Sequence, residues 1–166
     1  MQPPQVLYTS EADGPVLGPA DGDGYRDEVG ASGLLATIQV VSEFDVLEAQ
    51  LAARELTVTI GFDEREQASV VTAVSELASN LVAHSFVGGS MKLTAVERGE
   101  QIGVEVLCVD EGPGMEDVAR SLATGFSTAG TLGFGLRAVT RMMDRVEIST
   151  SLGVGSAIIA WKWRRS

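Results

Sequence analysis

Glu76 and Asn80 stand four residues apart in a stretch with helical apolar spacing, so a carboxylate and a carboxamide project side by side from one helix face. The carboxylate can take a proton, and the carboxamide can both donate and accept hydrogen bonds. Further on, Asp110-Glu111-Gly112-Pro113-Gly114 puts an acid at the end of an apolar alternating run, directly before two glycines. Glycines there let backbone approach a ligand closely. Gly133-Phe134-Gly135-Leu136 then opens a second apolar-periodic stretch, whose first backbone N–H groups would face an anion at the positive end of a helix dipole. Between the two glycine pairs runs Thr124-Gly125-Phe126-Ser127-Thr128-Ala129-Gly130-Thr131, small and hydroxyl-rich, with little to pack. Two glycine walls, an acid and a pliable insert have the makings of a nucleotide site with a lid.

Two familiar phosphate motifs are excluded. Gly133-Phe134-Gly135-Leu136-Arg137-Ala138 matches the letters of the dinucleotide fingerprint. That motif needs a strand just before it and an acid ~20 residues on. A loose loop precedes it here, and Ser151–Gly155 holds no acid. No G-x-x-x-x-G-K-[ST] run occurs, which removes the P-loop. His84, the single histidine, has no companions for a catalytic triad or a histidine metal centre and reads as structural.

The elements that must hold these residues follow from periodicity. Leu34–Val41 alternates as a half-buried strand. Ser42 caps a first helix with Asp45 in its first turn, Phe44, Leu47 and Leu51 as its apolar stripe, and Gly61 beyond its end. Asp63 and Glu66 form a capping box for a second helix to about His84, with Val70, Val74, Leu77 and Leu81 inward. Beside that stripe runs a polar row of Thr72, Glu76, Asn80 and His84. Met91–Glu97 and Gln101–Val109 make a hairpin across Arg98-Gly99-Glu100. Met115, Val118, Ala119 and Leu122 give a short helix. Leu132–Met143 gives another, with Leu136, Val139 and Met143 inward. Val146–Thr150 and Ala157–Trp163 close the chain as a second hairpin, Trp161 and Trp163 sharing a face.

The chain of 166 residues is long enough for one domain with a proper core and too short to be comfortable as two. A net charge of −11 argues against a phosphate-backbone partner, which needs a basic face. The longest apolar runs fall well short of the ~20 residues that span a membrane, and no basic-then-apolar leader opens the chain. A lone Cys108 leaves no disulfide framework. Together these features point to a cytoplasmic protein. Residues 1–32 carry six acids against Arg26 alone, with four prolines and five glycines, and are expected to form a disordered acidic tail ahead of a domain over 33–166.

Taken in order, Glu76-x-x-x-Asn80, Asp110-x-Gly112-x-Gly114, Gly133-x-Gly135 and Gly153-x-Gly155-Ser156 resemble the N, G1, G2 and G3 boxes of the GHKL, or Bergerat-fold, ATPases. Ser75-Glu76-Leu77-Ala78-x-Asn80 and Gly125-Phe126-Ser127-Thr128 are similar to the bacterial anti-sigma regulatory serine/threonine kinases, in particular the RsbT-like switch kinases. The resemblance covers roughly residues 34–163. It implies an α/β two-layer sandwich that binds ATP and Mg²⁺. Asp110 would accept a hydrogen bond from the adenine amino group, supported by Ser156. Asn80 would ligate Mg²⁺, and Glu76 would act as general base. Gly133 and Gly135 would wrap the β- and γ-phosphates, and Gly112, Gly114 and Leu136 would also contribute to nucleotide binding. Residues 124–132, Ser127 and Thr128 among them, would close over the nucleotide. The implied acceptor is a serine or threonine on a STAS-domain antagonist, with a phosphatase or sigma factor downstream; homodimerisation is left open. Two other readings stand beside this one. One is an anti-sigma factor that binds its sigma factor directly; the other is a binding module gated by ATP, which an intact Glu76 disfavours.

Overall fold

The computed structural model describes residues 6–11, 14–17, 25–85, 87–114 and 132–166. Its strands are β1 (Val6–Glu11), β2 (Gly14–Leu17), β3 (Gly30–Val40), β4 (Gly89–Arg98), β5 (Gln101–Asp110), β6 (Arg145–Ser151) and β7 (Gly155–Trp163). They form one sheet in the order β2-β1-β6-β7-β5-β4-β3, and every described pair is antiparallel. Three helices, α1 (Glu43–Thr59), α2 (Glu64–His84) and α3 (Leu132–Met142), lie on one face. The result is the expected two-layer α/β sandwich.

The local signals produce α2 as expected. Asp63 accepts from the Glu66 N–H at 2.7 Å, and the Glu66 carboxylate accepts from the Asp63 N–H at 2.9 Å. Val70, Val74, Leu77 and Leu81 are all buried. Thr72, Glu76, Asn80 and His84 are each half-buried along the margin of that stripe. The β4–β5 hairpin closes through Gly99 at φ 60°, the left-handed conformation a tight turn requires. Leu136, Val139 and Met143 are buried under α3 as expected.

Two expectations are corrected. The α1 stripe is not the one the spacing suggested: Val46, Ala49, Ala53 and Leu56 face the sheet, while Phe44, Leu47 and Leu51 are 82%, 56% and 69% exposed. Alanines, too weakly apolar to dominate the periodicity, make the close helix–sheet and helix–helix contact.

The second correction concerns residues 1–32. β1 adds to the β6 edge with Val6 opposite Thr150, and β2 folds back on β1. A 3₁₀ turn, Tyr25–Glu28, then crosses the sheet face opposite the helices. There Tyr25 is buried against Trp161 and Trp163; the Trp163 indole N–H donates to its hydroxyl at 2.8 Å. The guanidinium groups of Arg98 and Arg145 lie 4.1 and 4.0 Å from its ring centre. An edge strand is held chiefly by backbone pairing, and this turn by Tyr25 together with the Arg26–Glu147 and Arg98–Glu28 ion pairs, and composition registers none of these. Residues 115–122, and the lid up to 131 with Ser127 and Thr128, lie outside the described residues.

Candidate functional site

The site is assembled where α2 lies over β5 and α3 lies against α2. Cys108, two residues before Asp110 on the helix-facing side of β5, has its Sγ 4.0 Å from the carbonyl of Leu77, the residue after Glu76. That contact fixes the acid-bearing strand end beneath the helix that carries Glu76 and Asn80. Burial, with the Asp110 charge added, pushes the Cys108 thiol far above its ordinary value, so it is a packing group and not a nucleophile. Gln50 on α1 donates to the Ser75 hydroxyl at 2.7 Å, pinning α2 beside Glu76.

Gly135 links the first turn of α3 to the side chains of Glu76 and Asn80. A β-carbon placed there would stand 3.0 Å from Glu76 Oε2 and 3.4 Å from both terminal atoms of Asn80. Glycine lets α3 start this near them without crowding either side chain. Gly133 lies in the same first turn, whose N–H groups lack intrahelical partners and favour an anion. The Leu136 side chain is wholly buried in the core, so only its backbone can serve the site.

Asn80 provides the test of fit for a cation and its phosphates. Its Nδ2 is buried and has no hydrogen-bond partner among the described residues. An orphaned buried donor costs ~1–3 kcal/mol, which is tolerated where a ligand supplies the missing partner. A half-turn of the carboxamide presents Oδ1 at the same place, the hard oxygen that Mg²⁺ prefers. Asn80 therefore fits either a phosphate oxygen or a cation shared with one.

At the other end, Asp110 is half-buried and closes a tight turn by accepting from the Gly112 N–H at 2.7 Å. Burial raises its carboxyl above the ordinary value, opposed by hydrogen bonds from the backbone N–H groups of Gly112 and Ser156. Support from Ser156 is thus through its backbone. Its hydroxyl instead lies 3.0 Å from that of Thr150, a partner that sequence reasoning did not single out. Thr150 sits in an ordinary strand pattern opposite Ser156, and only the register reveals the pair. Gly155, at φ 132°, passes so close that a β-carbon would meet the Asp110 carbonyl oxygen at 2.1 Å. Gly112 is buried against the end of α2, and Gly114 takes φ 77°. Beside Asp110 a cleft of about 290 Å³ opens at the strand ends, lined by Gln39, Ser90 and Val109 among others.

Gly135 thus stands against Glu76 and Asn80, while Gly112 and Ser156 meet the Asp110 carboxylate through their backbone N–H groups. A two-layer sandwich carrying its acid, amide and glycines at these points defines an ATPase domain of the histidine kinase-like class, and that family's sequence profile matches residues 42–161. The serine/threonine-protein kinase RsbT of Bacillus subtilis (strain 168) is 34% identical over 128 residues, covering 77% of this chain and 96% of that one. An anti-sigma F factor of Thermoanaerobacter sp. (strain X514) is 30% identical over 103 residues, covering 59% of this chain and 71% of that one. The chain belongs to the histidine kinase-like ATPase family, on the branch of the RsbT-type serine/threonine-protein kinases.

Solved structures carry the same fold. One, of the RsbU and RsbW domains of Rv1364c from Mycobacterium tuberculosis, matches with a TM-score of 0.56 at 20% identity over 80% of this chain, which spans 33% of that longer one. Another, of the SiaB–SiaC complex from Pseudomonas aeruginosa, matches with a TM-score of 0.55 at 13% identity, covering 83% of this chain and 92% of that one. No helix among the described residues is long and apolar enough to cross a membrane.

Proposed function

We propose that this chain transfers the γ-phosphoryl group of ATP to a serine or threonine of a STAS-domain antagonist, as the kinase of a bacterial partner-switching pathway. The observation that carries the reading is the approach of Gly135 to both Glu76 and Asn80, which brings the first turn of α3 directly beside the two side chains. Mg²⁺ bound by Asn80 would screen the phosphate charge. Glu76 takes the proton of the acceptor hydroxyl as its oxygen bonds to the γ-phosphorus and the bond to the β-phosphate oxygen breaks, releasing ADP. Asp110 orients the adenine end, and the first turn of α3 offers its N–H groups to the phosphate oxygens.

A second reading, direct capture of a sigma factor, is favoured by the 30% identity to an anti-sigma F factor. Affinity capture from cells that carry the natural pathway separates the two. A STAS protein recovered with the chain, phosphorylated on serine or threonine when ATP is added, supports the kinase reading. Recovery of a sigma factor with no phosphorylated STAS protein would reject it.

A further inference from the structure

Three polar side chains stand in one rank across the sheet at the Asp110 end of the site. Thr150 of β6 lies opposite Ser156 of β7, and Ser156 lies opposite Asp110 of β5. The neighbouring rank is Ile148, Ile158 and Cys108, all buried in the core under the helices. Side chains alternate along a strand, so a step of two residues keeps Thr150, Ser156 and Asp110 on that helix-facing side. The polar rank opens outward along its length: Thr150 is 2% exposed, Ser156 is 8% exposed and Asp110 is half-buried. Thr150 is therefore walled off from any ligand, and Ser156 stands between it and Asp110.

The hydroxyl protons in this rank have a direction. The Thr150 hydroxyl donates to the Gly155 carbonyl oxygen at 3.3 Å, and a carbonyl can only accept. That carbonyl is held in place, because Gly155, at φ 132°, passes hard against the Asp110 backbone. With the single Thr150 proton committed there, the 3.0 Å contact between the hydroxyls has Ser156 as donor and Thr150 as acceptor. The Ser156 oxygen is then left with lone pairs alone, beside an ionised Asp110 that also only accepts. An amino group satisfies a floor of two acceptors. A carbonyl in its place finds no donor, and a site whose polar groups go unpaired rejects such a ligand.

We propose that Thr150 is a specificity-determining positioning residue, which holds the Ser156 hydroxyl as an acceptor and so selects a purine with an amino group at C6 over one with a carbonyl there. It acts through Ser156 and makes no contact with the nucleotide itself. The inference rests on the reading of Asp110 and Ser156 as the adenine end, and adds to it that the choice of base depends on the direction of one hydroxyl, set from a neighbouring strand.

Calorimetric titration of the full chain with the β,γ-imido analogues of ATP and of inosine triphosphate tests this. The inosine base carries the C6 carbonyl. The wild type should bind the ATP analogue ~100-fold more tightly. Thr150→Val keeps the shape of the side chain and removes its hydroxyl, and should cut that ratio ~10-fold. The change should come chiefly from tighter binding of the inosine analogue, as the released Ser156 hydroxyl turns to donate to the carbonyl. Thr150→Ser should keep the wild-type ratio, and Thr150→Ala, which adds no bulk, serves as a second hydroxyl-free variant. In a Ser156→Ala background, Thr150→Val should leave the ratio unchanged, because the residue through which it acts has gone. A wild-type ratio in both hydroxyl-free variants overturns the inference and leaves the ATP site standing. So does a further ~10-fold change in the Ser156→Ala background, which would mark Thr150 as a packing residue. A wild type that binds the two analogues equally overturns the inference together with the adenine role of Asp110, and one that binds neither removes the nucleotide site itself.

Discussion

Gly135 at the start of α3 faces Glu76 on α2 with so little space that an added β-carbon would stand 3.0 Å from the carboxylate oxygen. This proximity sets the distance between the first turn of α3 and the carboxylate proposed as base. It also separates activity from stability. Gly135→Ala improves helix propensity by up to ~1 kcal/mol, and the group it crowds is the flexible end of a side chain, so the fold should hold or gain. The displaced Glu76 should lower kcat roughly tenfold or more. Thermal unfolding and phosphotransfer measured on the same preparation check this. A variant with wild-type kcat would show that the contact is only packing.

Glu76→Gln preserves the shape and hydrogen-bonding reach of the side chain and removes its capacity to take a proton. Loss of a general base costs ~10²–10⁴ in rate, while the phosphates are still met by α3 and Asn80. ATP affinity by calorimetry should therefore change less than about threefold as phosphotransfer collapses. Phosphorylation of the acceptor at the wild-type rate would take the role of base away from Glu76.

Asp110 should make nucleotide binding depend on pH in mildly acidic solution. Burial raises its carboxyl above the ordinary 3.8, and the ionised form is the one that accepts a hydrogen bond from an adenine amino group. As pH falls toward that raised value the carboxylate protonates, and ATP affinity should drop at a pH where an exposed aspartate would still be charged. Asp110→Asn removes the titration and should weaken ATP binding by ~1–3 kcal/mol at neutral pH, with GTP binding little affected. Fluorescent-nucleotide titrations from pH 7.5 to about 4.5 read both effects. Equal losses for ATP and GTP would remove the adenine role.

Much of this site was legible because its chemistry is local in sequence. Glu76 and Asn80 share a helix face by a spacing of four, and each glycine pair lies within one turn. Capping at Asp63 and Glu66 and the buried row of α2 are likewise short-range signals. What stayed hidden depends on partners far along the chain. The Thr150–Ser156 hydroxyl pair needs the β6–β7 register, and the inward face of α1 depends on small residues meeting α2 and the sheet. Tyr25 depends on two tryptophans at the opposite end of the sequence.

Tyr25 turns that last point into an experiment. Its ring lies at 65° to that of Trp161, with centroids 5.2 Å apart, and its hydroxyl is the acceptor for the Trp163 N–H. Arg145 and Glu147, both buried, make an ion pair at 3.0 Å beside it, and Arg26 from the same 3₁₀ turn joins the Glu147 carboxylate. Tyr25→Ala would leave a cavity under the turn and deprive a buried indole N–H of its partner. It should destabilise the fold by about 2–4 kcal/mol. Tyr25→Phe keeps the ring and loses only the hydroxyl, so it should cost about 1 kcal/mol. Because Tyr25 lies on the sheet face opposite α2 and α3, ATP affinity should be unaffected in both variants below their unfolding temperatures. Urea denaturation at fixed protein concentration measures the losses. If Tyr25→Ala unfolds at the wild-type midpoint, the N-terminal segment is a passive tail after all, and the aromatic anchor contributes nothing to holding it on the sheet.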